Sequence, residues 1–498
     1  MVYKINSLED SANPNDGKIT YRECALALEV NTPYRIPAGR PRYCVFDVAG
    51  AIELQSPAFI TTPHIYIAGQ TSPGGIEFRL GFQYAPADSL IDTRRGGDHL
   101  IVRHIRARLG EHPTRPSPNG DAIRWNSTNF QIADHVSAQF GTDESFEGNC
   151  QTCTVQWSII GPNICRDAGH SSTSFHCKTF FFKPARNLTL AYNLSQHGEQ
   201  RGINIAPGSF PFNFGEEAQI DVLGNFIYNF VQESGLVSNQ YADAYVNYIS
   251  NSTYEGPRFV TGNNGNFGAA FFTNADSFGH GFAVNSDGNV SPFNSDPNDY
   301  LGYFGFFKGT PVSSVCGIGA NRARDCSISG LDVVRRSSMV IAPSAATNWL
   351  QPWMIVDAAQ SRRNVLSFAG ADLCRDGSCR DNVDEMFIED VRTCDRAPRL
   401  FESGWTSSVN QTGGYARIAS TGGALSDRDN DGMPDAWEDL FNNTDADVWD
   451  ANEDSDGDGY PNIEEYLNML ANDDARYRDA YTAGNSATPP YNCGRPQR

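Results

Sequence analysis

Short apolar runs recur along the first half of the chain, each closed by polar residues. After VFDVAGAIEL (45–54) come HIYIAGQTSPGGIEF (64–78), HLIVRHIRARLG (99–110), NFQIADHVSAQF (129–140), TCTVQWSIIGP (152–162), NLTLAYNLSQH (187–197), AQIDVLGNFIYN (218–229) and DAYVNYISNS (243–252). Apolar and polar positions alternate within each run, which predicts two short strands joined by a bend. Successive starts from residue 64 lie 35, 30, 23, 35, 31 and 25 residues apart. Strand-rich units at such regular spacing predict an all-β solenoid, each coil burying its apolar face against the next. The shortest spacing is one bare coil, and the longer ones carry loops that build a binding face on one side. A β-sandwich is the competing architecture, disfavoured because few Asn-Gly hairpin turns separate the runs. Residues 20–29 read as a short amphipathic helix.

Composition narrows the function. The chain has 498 residues, 59 acidic against 38 basic, and a formal net charge of −21. That excludes general nucleic-acid binding, which needs a positive footprint. It leaves an anionic substrate open, because bound calcium and local arginines reverse the sign around one site. No apolar run reaches the length of a membrane span. MVYKINSLEDS is not a signal peptide. The 12 cysteines, several close together (Cys150/Cys153/Cys165/Cys177, Cys316/Cys326, Cys374/Cys379), favour disulfides in an oxidising compartment. Secretion with a leader removed is therefore expected. Cys150-x-x-Cys153 lacks the second CxxC of a zinc site.

Candidate chemistry concentrates between Asp121 and Arg201. Asp121, Asp143 and Glu147 come first, in segments broken by Gly141 and Gly148, and Arg201 follows. A loop or strand edge offering several carboxylates suits a hard cation such as calcium. A cation beside an arginine suits a negatively charged substrate. Taken singly, each acid is a surface carboxylate among 59.

These segments carry a resemblance. SLEDS, YREC, VFDVAGAIEL, IAGQTSPGG, IVRHIRAR, DAI, DHVSAQFGTDE, the arginine after NLSQH and the late CRDNVDEMFIEDV (379–391) stand in the order found in the pectate lyase superfamily, polysaccharide lyase family 1. The match covers most of residues 1–395. It implies a right-handed single-stranded parallel β-helix with long loops. It also implies β-elimination of uronic-acid polymers with calcium and an arginine base. On this resemblance Arg201 is the base, and Asp121, Asp143 and Glu147 are calcium ligands, with Asn119 where a further acid can stand. The family lysine falls near Thr173 and its second arginine near Ala206. His170, His176 and Lys178 are near enough to replace the lysine. Pectate is the default substrate, and another polyuronide stays open. The expected protein is a secreted, monomeric enzyme on an acidic polysaccharide. The rival is a non-catalytic polyuronide-binding or adhesion protein on the same scaffold.

The catalytic domain is expected over residues 1–400, with large Gly-, Asn- and Phe-rich loops at about 253–345 and a linker at 401–425. The tail, 426–498, carries a sharper motif. DRDNDGMPDAWE (427–438) puts Asp427, Asp429, Asp431, Asp435 and Glu438 at positions 1, 3, 5, 9 and 12 of an EF-hand loop, with Gly432 at position 6. DSDGDGYPNIEE (454–465) repeats it with Asp454, Asp456, Asp458, Asn462 and Glu465. The carbonyls of Met433 and Tyr460 fall at position 7. The expectation is two structural calcium ions in a small helix-loop appendage. The pairing also resembles thrombospondin type 3 repeats and dockerins, which admits scaffold binding as the weaker reading.

Overall fold

A computed structural model of the chain describes residues 1–31, 35–83, 89–112, 119–164, 178–198, 201–208, 217–230, 234–238, 241–254, 271–273, 282–291, 304–306, 310–311, 331–334, 355–393, 408–419, 422–440 and 443–471. Its strands form three long sheets of 11, 10 and 8 strands, and the chain visits them in rotation. One coil shows the pattern. Gln131–Asp134 lies in the first sheet, Ser137–Gln139 in the third and Glu144–Cys150 in the second, before Thr152–Gln156 returns to the first. Each strand pairs in parallel with its equivalents one coil away. This is a right-handed single-stranded parallel β-helix.

The period-2 pattern places the core inside the coils. In the first sheet Ile67, Val102, Ala133, Val155, Leu190 and Val222 are register partners in sequence, and all are buried. Burying each Val, Leu or Ile is worth about 1.5–3 kcal/mol. The corners after the four first-sheet strands Asn187–Ala191, Ala218–Leu223, Ala244–Ile249 and Phe282–Asp287 need left-handed backbone. Tyr192, Gly224, Ser250 and Gly288 supply it at φ 56°, 61°, 56° and 66°. The next residue each time is asparagine. Asn193, Asn225 and Asn251 donate through Nδ2 to the Oδ1 of the following member, ending on Asn289, at 3.0, 3.0 and 3.1 Å. The ladder satisfies buried amides that a tight corner would otherwise orphan.

The expected helix at 20–29 is present as Tyr21–Ala25, closed by a Thr20–Glu23 capping box, with Tyr21, Cys24 and Ala25 in the main core. Cys24–Cys44 and Cys150–Cys153 are disulfides, whereas Cys374 and Cys379 are free thiols. The remaining cysteines lie outside the described residues. The region read as loops at 253–345 is partly coil. Phe282–Asp287 and Leu331–Val334 extend the first sheet, and Phe271–Thr273 and Phe304–Phe306 extend the second.

Helices Ala358–Phe368 and Asn382–Thr393 cover the third sheet, where Val365, Leu366, Ile388 and Val391 pack with Trp157, Ile159, Leu194 and Phe226. Arg106 and Arg108 point out of that sheet and are buried. Arg108 meets Glu77, Asp381 and Asp384 at 2.5, 2.9 and 2.8 Å, and Arg106 meets Asp381 at 2.5 Å. The described part of the expected linker is packed as well. Val409, Thr412 and Ala416 are buried, and Tyr415 Oη donates to the Leu109 carbonyl at 3.0 Å.

Candidate active site

The outward face of the second sheet brings the candidate residues together. Ile123, Trp125, Phe146, Phe180 and Phe182 point inward and are fully buried. The alternate positions Arg124, Glu147 and Phe181 therefore face out, with Arg124 in register with Glu147 and Glu147 with Phe181. Glu144 and Lys178, in register at the strand starts, share the parity of Phe146 and Phe180 and join the patch at its edge through Arg201 and Asp143. Four acids and four bases share this patch.

Asp121 Oδ2 accepts from Arg124 Nε at 2.7 Å, and its Oδ1 accepts from the Glu144 backbone N–H at 2.9 Å. Glu147 meets Lys183 at 2.8 Å and Arg124 at 3.2 Å. Asp143 meets Lys178 at 2.9 Å. Arg201 is ion-paired to Glu144, and its guanidinium lies 4.2 Å from the Phe181 ring centroid. Lys183 lies 4.4 Å from the same ring. Arg201 sits at φ +57°, and its carbonyl accepts from the Phe180 N–H at 3.0 Å and Thr179 Oγ1 at 2.7 Å. The side chain therefore leaves a pinned corner and not a free loop.

Burial sets the electrostatics. It pushes the Glu144 carboxyl up to about 7, with Asp143 adding to the rise and Arg201 and Lys178 opposing it. Burial also raises Asp121 well above the usual carboxylate range, against Arg124 and with help from Glu144 and Glu147. Glu147 moves the other way. Burial would raise it, but Lys183 and Arg124 hold it down. Burial opposes charge on two of the acids, Glu144 and Asp121, so the patch carries less negative charge than its four carboxylates would give it. That suits an anionic ligand on a chain of net charge −21.

Arg201, Lys178, Asp121, Asp143 and Glu147 thus lie in one patch. His176, with His170 and Thr173, lies outside the described residues. Lys178 stands in the patch, whereas Ala206, near the expected second arginine, is a buried small residue. Sequence reading missed Glu144, Arg124 and Lys183. The usable signal was the strand period. Alternation through IRW and ESFE puts Arg124 and Glu147 on one face, but nothing local reveals which bases cross to them.

The calcium expectation fares differently in the two places proposed for it. Asp121, Asp143 and Glu147 do not form a three-carboxylate group with oxygens within 4.8 Å of one another, and each is engaged by a basic side chain. As arranged they are an ion-pair network and do not fit a cation cage. In the tail Asp427, Asp429 and Asp431 do form such a group, as do Asp431, Glu438 and Asp450, and Asp454, Asp456 and Asp458. Asp435 departs from the expected ligand set. Its carboxylate accepts from Ser426 Oγ at 2.5 Å and the Arg428 N–H at 2.8 Å. Asn462 does likewise, accepting from the Ser455 N–H at 3.1 Å. Glu465 is not among the clustered acids of the second loop.

No protein-family model matches the chain. Among curated proteins it is similar to "Probable pectate lyase C" of Aspergillus fumigatus, 26% identical over 439 residues, covering 87% of this chain and 81% of the relative. It is similar to the protein of the same name in Emericella nidulans, 26% identical over 474 residues, covering 94% and 88%. Among solved structures it aligns with jun a 1, the major cedar-pollen allergen, at TM-score 0.34 and 12% identity over 74% of this chain and 88% of that one. It aligns with a pectate lyase from Paenibacillus sp. 0602 at TM-score 0.35 and 10% identity, over 64% and 76%.

Proposed function

We propose that this chain is a polysaccharide lyase of the pectate lyase type, cleaving pectate or a related polyuronide by β-elimination. The observation that carries the reading is Arg201. It projects from a pinned corner into a patch of bases on one sheet face, held by Glu144 and lying over Phe181. Curated relatives named as pectate lyases, matched over most of the chain, support it.

The chemistry needs a base and a cationic cradle. The uronate carboxylate is bound among Lys178, Arg124 and Lys183. They stabilise the negative charge that develops as the neighbouring C–H is lost. Arg201, after giving one guanidinium proton to its partner Glu144, takes that proton. The electron pair forms the C4–C5 double bond, the C4–O bond breaks, and the leaving oxygen takes a proton from water. Phe181 offers a flat apolar face for a sugar ring. No step in the cleft is assigned to calcium, because its carboxylates are already matched by bases. We place calcium in the tail. The Cys24–Cys44 and Cys150–Cys153 bridges support secretion.

The test is ultraviolet absorbance on polygalacturonate, alginate, glucuronan and ulvan. Elimination makes a conjugated unsaturated uronate that absorbs there. Absorbance growth on one polymer is the expected result. Binding without growth on all four supports the rival, a non-catalytic polyuronide binder, which the small Ala206 in place of a second arginine favours.

A further inference from the structure

The acidic tail contains a site that the 12-residue loop pattern does not describe. Asp435, at the ninth position, is turned away onto Ser426 and Arg428. Its place is taken from outside the loop. A carboxylate oxygen of Asp450 lies within 4.8 Å of oxygens from Asp431 and Glu438. Asp431 in turn groups with Asp427 and Asp429. The second observation is Glu438. It is 1% exposed, and neither carboxylate oxygen has a hydrogen-bond partner; Asp429 Oδ2 is likewise buried and unpartnered. Two bare oxygens on a buried carboxylate, facing two further acids, are strongly unfavourable unless a cation meets them. The donors are all oxygen, which selects a hard divalent cation of calcium type.

We propose that Asp427, Asp429, Asp431, Glu438 and Asp450 hold one calcium ion, with Asp450 replacing Asp435 as the ligand that closes the site. The inference rests on the reading of the tail as calcium-binding and changes what that binding does. Asp450 Oδ1 accepts from Asn462 Nδ2 at 3.2 Å, and Asn462 is the ninth position of the second loop. The ligand of the first ion is thus held by the second loop. The first loop is also seated on the β-helix. A Cβ on Gly432 (φ +98°) would meet Val2 Cγ1 at 2.5 Å, and Lys4 pairs with Asp427 at 2.8 Å. Met433 and Trp437 pack with Val2, Val45 and Tyr66. An ion that orders this loop therefore locks the tail onto the first coils.

The experiment is calcium calorimetry on the full chain after chelation. Wild type is expected to bind two ions. Asp456→Asn, which disables the exposed loop, is expected to bind one. Adding Asp450→Asn to that variant weakens the remaining site at least tenfold, whereas adding Asp435→Asn changes it less than threefold. A wild type that binds no calcium overturns the tail reading itself. Calcium binding in the Asp450→Asn, Asp456→Asn pair with the affinity of Asp456→Asn alone overturns the role of Asp450 only. Should that pair not fold, Glu438→Gln with Asp456→Asn is titrated with the same two outcomes. Thermal unfolding of Asp450→Asn alone gives an independent readout. Its melting temperature in chelator rises, because like-charge crowding is relieved, and its gain on adding calcium shrinks. A calcium gain equal to that of wild type counts against the proposal.

Discussion

Arg201 is ion-paired to Glu144, a carboxylate buried under its own sheet, and this contact aims the guanidinium across Phe181. The pairing separates a base from a binding group. Arg201→Ala should lower kcat by about a thousandfold with little change in KM, as loss of a general base does. Arg201→Lys keeps the charge without the planar fork and should recover little. Glu144→Gln keeps the shape but cannot take the guanidinium proton, so its kcat should fall comparably. The ultraviolet assay measures all three. A raised KM at unchanged kcat in Arg201→Ala would make the residue a substrate clamp.

Arg124 is the shared counter-charge of the patch. It holds Asp121, whose side chain is fully buried, and reaches Glu147 at 3.2 Å. Arg124→Ala leaves Asp121 buried without a counter-charge, which should cost about 3–5 kcal/mol. Arg124→Lys retains one of the two contacts and should recover part of it. The melting temperatures of the two variants against wild type check this, and equal values for wild type and Arg124→Ala would show that Asp121 is held in its neutral form.

The coil architecture was legible because it is written in period-2 alternation. Each run starting near 64, 99, 129, 152, 187, 218 and 243 contains a first-sheet strand. The late coils at Phe282–Asp287 and Leu331–Val334 were read as loops because the region around them, 253–345, is rich in Gly, Asn and Phe, while the strands themselves are only four to six residues long. The acids of the cleft were legible by type and order. Their partners were not, since Lys178 and Lys183 reach Asp143 and Glu147 across 35 and 36 residues of chain. In the tail the loop spacing is plain in the sequence, but spacing carries no information on side-chain direction. Asp435 fits the loop pattern and still turns to Ser426, while Asp450 matches no pattern and joins the cluster.

The asparagine ladder carries a stability prediction of its own. Asn225 bonds to both neighbours in the ladder and donates to the Leu190 carbonyl at 2.8 Å. Asn225→Ala strands buried amide groups on both sides and should cost about 2–4 kcal/mol. Asn289 accepts from Asn251 and donates to the Tyr248 carbonyl at 2.6 Å and Ser286 Oγ at 3.1 Å, so Asn289→Ala should cost about as much, again about 2–4 kcal/mol. Thermal unfolding of the two variants checks this. A loss at Asn225 only would mean that the last corner is not held by its asparagine.

The tail covers the first coils, and its removal separates that covering role from catalysis. Helix Asn462–Ala471 and the first loop place Met433, Trp437, Ile463, Tyr466 and Leu467 against Val2, Val45, Tyr66 and Ala68. Polar contacts add direction, with Tyr43 Oη donating to Glu464 at 2.7 Å and Lys4 meeting Asp427 at 2.8 Å. Deleting residues 426–498 would open a contiguous apolar patch on the first sheet. Such patches destabilise a fold and recruit other chains. The truncated protein should melt roughly 5–10 °C lower, since several buried side chains at about 1.5–3 kcal/mol each are lost. It should also bind a hydrophobic dye and associate on concentration. Turnover per folded molecule should remain near that of wild type, because Arg201 and the ion-pair patch stand on the second sheet and the tail packs on the first. Trp437→Ala in the full chain should reproduce about a third of the thermal loss without the truncation. A truncated chain that keeps its melting temperature would remove the covering role. One that folds normally but is inactive would draw the tail into the reaction.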